Sequence, residues 1–428
     1  MYQRTWTLGL EAQEEDTPEA LEPVITEEPS ESVEATDLEV NEANDDLEAT
    51  DRQAEDLADD ISDLQTVHDV VADSLSDGGC EVSNARLIDV ATESFCSRWD
   101  IPRAAVACEA MAYATPSVRA NVACEGIMDT IKAGIKKLIE FINNVILKIK
   151  TFFGSVVDYP SKILKRAEAL EKVANERANN EFNHKKWSVG SWANNVSVGG
   201  EYNPKQIFNQ PGRIIQTSEY IFEDLVILAN NIVDKVDATN AKSTLARMKM
   251  RFFGNATLPK QARDKLSPSA KDARVVAFPG ELYLIGERYV STAGDAPDKQ
   301  LTTDDFKLSY IVAETSHQRQ ELTPPSHDEI VKAINASKEF ANGLQQHIDG
   351  NQDVNKSLEL MQRGLDVLTK SMEDAANSLE RDGWASLYAQ RKQEMSNFKI
   401  MVQVNILGLR NAALGMLSYA EAGLRCYA

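Results

Sequence analysis

The tetrapeptide Val-Ala-Cys-Glu occurs twice, at 106–109 and 122–125, sixteen residues apart around Ala114-Thr115-Pro116-Ser117. Each copy offers a small residue, an arbitrary one and a glutamate: Ala107, Cys108 and Glu109, then Ala123, Cys124 and Glu125. A protease with that specificity could cut after either glutamate. Pro116 is expected to forbid a continuous helix here and to bias Thr115 to extended geometry. The small residues Ala110, Ala112, Ala114 and Ser117 offer little to pack. The spacing therefore predicts an open segment that a protease can thread into its cleft. The same small-x-Glu pattern recurs at several other places, among them 32–34, 91–93, 357–359 and 378–380, the last two inside predicted helices that should resist cutting.

Other chemistry is hard to assemble from the chain. There is no Gly-rich phosphate loop, no His-Glu-x-x-His and no Gly-x-Ser-x-Gly. The five histidines (His68, His184, His317, His327, His347) are widely separated, and His327 is expected at the surface in the first turn of a helix. The five cysteines (Cys80, Cys96, Cys108, Cys124, Cys426) lack the paired spacing of a disulfide framework or a zinc site. No cofactor is implied and no catalytic residue is nominated. An enzyme built on a helical scaffold, with partners distant in sequence, stays open as a lesser reading. The first residues lack the apolar core of a secretory signal, and the expected origin is cytosolic.

The charge distribution sets the tetrapeptides in context. Residues 1–125 hold 31 Asp and Glu against 6 Arg and no Lys, a net of −25; the remainder holds 36 acids against 39 Lys and Arg, a net of +3. An acidic leader followed by small-x-Glu sites resembles the precursors cut by the head-maturation proteases of giant tailed phages of the phiKZ type. T-even phages also cut head proteins after glutamate. The resemblance implies an internal head (prohead core) structural protein whose N-terminal propeptide is removed during capsid maturation. It implies a phage maturation protease as processing enzyme, other head proteins as partners, and a place inside the virion after assembly in the host cytoplasm.

The elements that must position these residues follow from periodicity. Within 1–125, like-charge repulsion and few large apolar residues predict disorder over 1–50. Leu57, Ile61, Leu64, Val67, Val71 and Leu75 make a thin helical stripe over 51–76, and a short helix is expected over 83–95. Such an arm could cover a basic surface until released. Residues 127–153 then place Ile131, Ile135, Leu138, Ile142, Val145 and Ile149 at helical steps, with lysines mostly on the other face. A charged helix follows over 161–182, then Gly/Asn/Pro-rich loops, helices over 213–236 and 241–253, and a hairpin turning at Pro279-Gly280 with a third strand at 305–313. Ser326-x-x-Glu329 is a capping box for a helix to about 348. A seven-residue register runs from Val354 to Leu379, and a largely buried helix from about 385 to 424.

The expected fold is mainly α, with a disordered acidic N-terminal arm, a helical body, a long-helix C-terminal bundle and a small antiparallel β insertion near 273–313. The expected divisions are 1–125, 126–182, 183–325 and 326–428. Non-specific contact with packaged DNA and a homo-oligomer through the C-terminal helices are further expectations. The principal alternative is a membrane-docking or membrane-acting protein whose 127–153 helix is masked by the arm. An arm packed as an integral layer, with both tetrapeptides buried in regular helix, would overturn the processing reading.

Overall fold

A computed structural model describes residues 33–74, 79, 81–102, 114–178, 180, 187–188, 191–198, 201–202, 204–233, 272–288, 306–313, 321–350 and 384–427, with short helical pieces between 354 and 370. The helices are α1 (Val33–Ser74), α2 (Val82–Trp99), α3 (Pro116–Ser155), α4 (Tyr159–Glu176), α5 (Pro204–Asn209), α6 (Pro211–Val233), α7 (His327–Asp349) and α8 (Trp384–Leu424). The strands are β1 (Trp187–Ser188), β2 (Ser197–Val198), β3 (Glu201–Tyr202), β4 (Asp272–Phe278), β5 (Leu282–Arg288), β6 (Phe306–Val312) and β7 (Glu321–Leu322). The mainly α class, the small antiparallel sheet and the long C-terminal helix are those expected. The helix expected over 241–253 and most of the 354–379 register lie outside the described residues, although Val354, Leu358 and Leu365 are buried.

α8 is the central rod. α7, α6, α4, α3, α1 and the sheet all pack on it. Residues 391–424 are long and apolar enough to cross a membrane by composition alone, but they are buried within this fold. The predicted core positions Phe398, Val402, Leu409, Met416 and Tyr419 are all buried. α7 begins where the capping box predicts: the Ser326 hydroxyl accepts from Glu329 N at 3.3 Å, and the Glu329 carboxylate accepts from Ser326 N at 3.1 Å. Arg177, at the end of α4, donates to the carbonyls of Leu424 and Tyr427 at 2.8 and 3.1 Å, satisfying orphan acceptors at the end of α8.

The hairpin β4–β5 turns through Pro279, Gly280 and Glu281, with Phe278 opposite Leu282, and β6 pairs antiparallel with β5. Gly280 takes φ +86, a conformation that its lack of a Cβ makes cheap. The sheet is pinned to α8 where Leu308 N donates to Asn397 Oδ1 at 2.9 Å.

The arm departs from expectation. Residues 33–50, expected to be disordered, belong to the 42-residue helix α1, whose main partner is α3. Buried Val33, Val40, Leu47, Ala54 and Ile61 recur every seven residues, and Thr36, Leu57, Leu64 and Val71 fall on the companion heptad position. That seam docks on the Ile131–Ile149 stripe of α3. The two helices run antiparallel: Asp46 meets Lys148, and Ile61 meets Gly134, where an added Cβ would lie 3.1 Å from the Ile61 side chain. The physical reason is that α1 does not fold alone. Apolar burial against α3 and countercharges elsewhere outweigh the repulsion that would unfold an isolated acidic segment.

This packing fixes a stability test. Leu57→Ala, at a fully buried position, should cost about 2–5 kcal/mol in urea unfolding. Leu38→Ala, 65 % exposed on the same helix, should stay within about 0.5 kcal/mol. Equal, negligible effects would mean that the arm is undocked.

Candidate functional site

The two tetrapeptides have different settings. Residues 106–109 lie outside the described residues, in the connection between α2 and α3. Residues 122–125 are inside α3: Ala123 is buried, Cys124 is half-buried and Glu125 is exposed. Thr115 is extended as predicted (ψ 157), but Pro116 opens a helix rather than preventing one. It occupies the first turn, where its missing N–H is harmless, and the Thr115 hydroxyl accepts from Val118 N. The open segment expected around both copies is therefore helical from Pro116 onward.

The amphipathic-helix residues Ile131, Ile135, Leu138, Ile142, Val145 and Ile149 are all buried. α1 and α2 cover this face. The end of α2 locks the layer: Arg98 and Trp99 both donate to Asp60 of α1, at 2.8 and 2.7 Å, and the Trp99 ring meets Phe141 of α3 edge-on.

Sequence reading missed the feature that organises the site. α1 also faces α8, through a polar ladder. From one end to the other, Asp37 pairs with Arg410, Asn44 accepts from Gln403, Glu48 and Asp51 both pair with Lys399, Asp51 accepts from Ser396, and Glu55 faces Lys392. The contact positions step by seven, four, three and four residues along α1, and by the same intervals backwards along α8. Lys399 Nζ lies 2.9 Å from Glu48 and 2.8 Å from Asp51, with both Lys399 and Asp51 buried. Cations from other elements extend the seam: Arg166 of α4 to Glu34 at 2.8 Å, Lys148 of α3 to Asp46 at 2.8 Å, and Lys307 of β6 to Glu55 at 3.1 Å.

Burial acts unequally across this ladder. It pushes the Glu55 carboxyl up, but Lys392 and Lys307 outweigh it and hold the group below its ordinary value. At Lys392 burial wins, and the ammonium is held below its ordinary value despite Asp51 and Glu55. The asymmetry follows from position, since the lysine side chain is 6 % exposed and its partner 40 %. The desolvation cost therefore falls on the cation, which depends on α1 for compensation.

A second polar cluster joins α6, α7 and α8. Ser218 Oγ donates to Asn405 Oδ1 and lies 3.0 Å from His347 Nε2, while the Phe222 ring lies tilted against the imidazole with centroids 5.0 Å apart. Burial holds His347 down to about 4. His327, expected at the surface, instead reaches Ala174 O at 2.8 Å, because α7 starts where α4 ends. Among the described residues no cluster of His, Cys, Asp and Glu is placed to hold a metal ion.

The fold is that of a helical protein closed by an acidic helix laid over a cationic seam. The chain is a member of the phiKZ-like phage internal head proteins: that family matches residues 42–403, from within α1 to within α8. No curated protein and no solved structure matches the chain. The family places the chain inside the phage capsid as a structural component.

Lys399→Met would leave Asp51 buried without its ammonium, and should cost about 3–5 kcal/mol in urea unfolding. Lys399→Met with Asp51→Leu should recover most of that loss. A single-variant cost below about 1 kcal/mol would mark the pair as energetically a surface contact.

His347 supplies a pH test. The unfolded imidazole takes its proton near 6.5, whereas the folded one resists until about 4. Its contribution is therefore full above pH 6.5 and is lost as pH falls towards 4. Between pH 7 and pH 4 the unmodified protein should lose on the order of 3 kcal/mol more than His347→Gln. Parallel pH profiles for the two would show that the imidazole titrates normally.

Proposed function

We propose that the chain is made as a precursor that assembles into the prohead in the host cytoplasm and is cut by the phage maturation protease, without enzymatic activity of its own. The observation that carries the reading is the repeated Val-Ala-Cys-Glu at the join between the −25 arm and the +3 remainder, in a chain of the internal head protein family. Glu109 is the favoured cut. Cleavage after Glu125 would require unwinding more than two turns of α3, and the next residues, Ile127 and Met128, are buried. Glu109 lies outside the described residues, between α2 and α3 in the chain.

The arm would not leave on cutting alone. The α1–α3 seam and the α1–α8 ladder hold it without a covalent link, so the immediate product is a nicked, closed molecule. Other head proteins are the expected partners. Oligomerisation through α8 is not favoured, because residues 391–424 are largely covered within the chain. The membrane-docking alternative is not favoured, since the stripe it needs is occupied by α1 and α2.

Peptide mass spectrometry of purified particles tests the cut. The expected result is a new N-terminus at Ala110. Peptides spanning 106–126 recovered intact and in full yield from particles would remove the processing reading.

A further inference from the structure

We propose that the cationic strip beneath α1 is a binding surface for the phosphate backbone of duplex DNA, closed while α1 is docked and opened when α1 lifts. The proposal deepens the head-interior reading and rests on it for the identity of the polyanion.

Arg410, Lys399 and Lys392 lie on one face of α8, over 18 residues or about 27 Å of helix. Arg166, Lys148 and Lys307 flank them from three other elements. All six meet carboxylates of one helix, α1, and the three on α8 are buried beneath it. This is a surface already matched to a rod of regularly spaced negative charge. Lifting α1 removes its carboxylates from all six cations and rehydrates them together, while Arg166 keeps Glu421 of α8 at 2.6 Å. A duplex presents one phosphate per about 1.7 Å of axis, so a strip of this length spans nearly one helical turn and can engage several phosphates. No base-reading geometry accompanies it, so the contact is non-specific. The ladder and the duplex compete for the same cations, so DNA binding and α1 docking exclude one another.

The test uses full-length chains and a fluorescent duplex, read by anisotropy at several salt concentrations. Glu48→Gln/Asp51→Asn/Glu55→Gln removes the clasp from the α1 side and leaves every cation in place. Leu47→Asp/Leu57→Asp lifts α1 through its apolar seam with the ladder acids retained. Glu39→Gln/Glu42→Gln/Asp63→Asn, at exposed positions of the same helix, makes the charge change of the first variant without touching the ladder. Amide hydrogen exchange in 33–74 reports opening.

The expected result is at least about tenfold tighter DNA binding for both opened variants, none for the exposed-site control, and a log–log salt slope of about −3 to −5. Adding Lys392→Gln/Lys399→Gln to the clasp variant should reduce that slope by about 2. Opened chains that bind DNA no tighter than the unmodified protein would overturn the proposal while leaving the capsid location intact. Opened chains that instead dimerise by exchanging α1 would overturn it in favour of a second copy as occupant. An α1 that stays protected in both variants would also overturn it, because the strip would then never be uncovered. Loss of the processing reading in the particle experiment would leave these binding results unchanged.

Discussion

The antiparallel clasp between α1 and α8 is the constraint from which the rest of the architecture follows. Two helices whose facing residues are separated by about 350 positions in sequence must align five contacts in one register. α8 carries charged and amide groups into the centre of the fold, and Lys392, Lys399 and Arg410 can stay there because α1 brings carboxylates to them. The acidic arm is thus the counterion layer of the body, and the chain's charge step marks two halves of one electrostatic unit. Residues 33–74 form a layer of the fold, and the sequence boundary at 125 falls inside α3.

Buried ion pairs add little net stability compared with well-packed apolar residues, because desolvation consumes most of the attraction. Their contribution here is better understood as register. The apolar seam of α1 is a plain seven-residue repeat, and a slip by one heptad would still bury Val40, Leu47 and Ala54 against α3. The same slip would put Asn41 opposite Lys399 and leave Arg410 beyond the start of the helix. Hydrophobic burial supplies the drive for docking, and the clasp selects one alignment. The Asn44–Gln403 rung, which carries no charge, fits this account, since it contributes direction rather than Coulomb energy.

Much of the fold was legible because it is encoded locally. The Ile131–Ile149 stripe, the Ser326 capping box, the hairpin at Pro279-Gly280 and the apolar run of α8 each depend on residues within a few turns of one another. What escaped was non-local. In 33–50 the heptad positions Val33, Thr36, Val40, Ala43, Leu47 and Thr50 include small and polar residues, so the stripe is faint. Repulsion among the acids is local and visible, whereas the cations that neutralise them come from α3, α4, β6 and α8. Pro116 misled for a local reason: a proline is a barrier in the middle of a helix and a favourable first residue at its start. The Ser218–His347–Asn405 cluster joins three helices and had no signal in spacing.

Under the proposed cut, severing and release become separate physical events. While the chain is intact, α1 faces its seam at the high effective concentration of a tethered segment, and any local opening closes again. After a cut at Glu109 the same contacts join two molecules, so a lifted arm can be lost by dilution or replaced by another anion. Cleavage need not weaken a single rung to change the outcome; it removes the tether that makes rebinding win. A polyanion at high local concentration then acts by mass action on the population with α1 lifted. Under that proposal connectivity would set the order of events: the clasp would keep the strip closed through assembly, and the cut would let a lifted arm be lost.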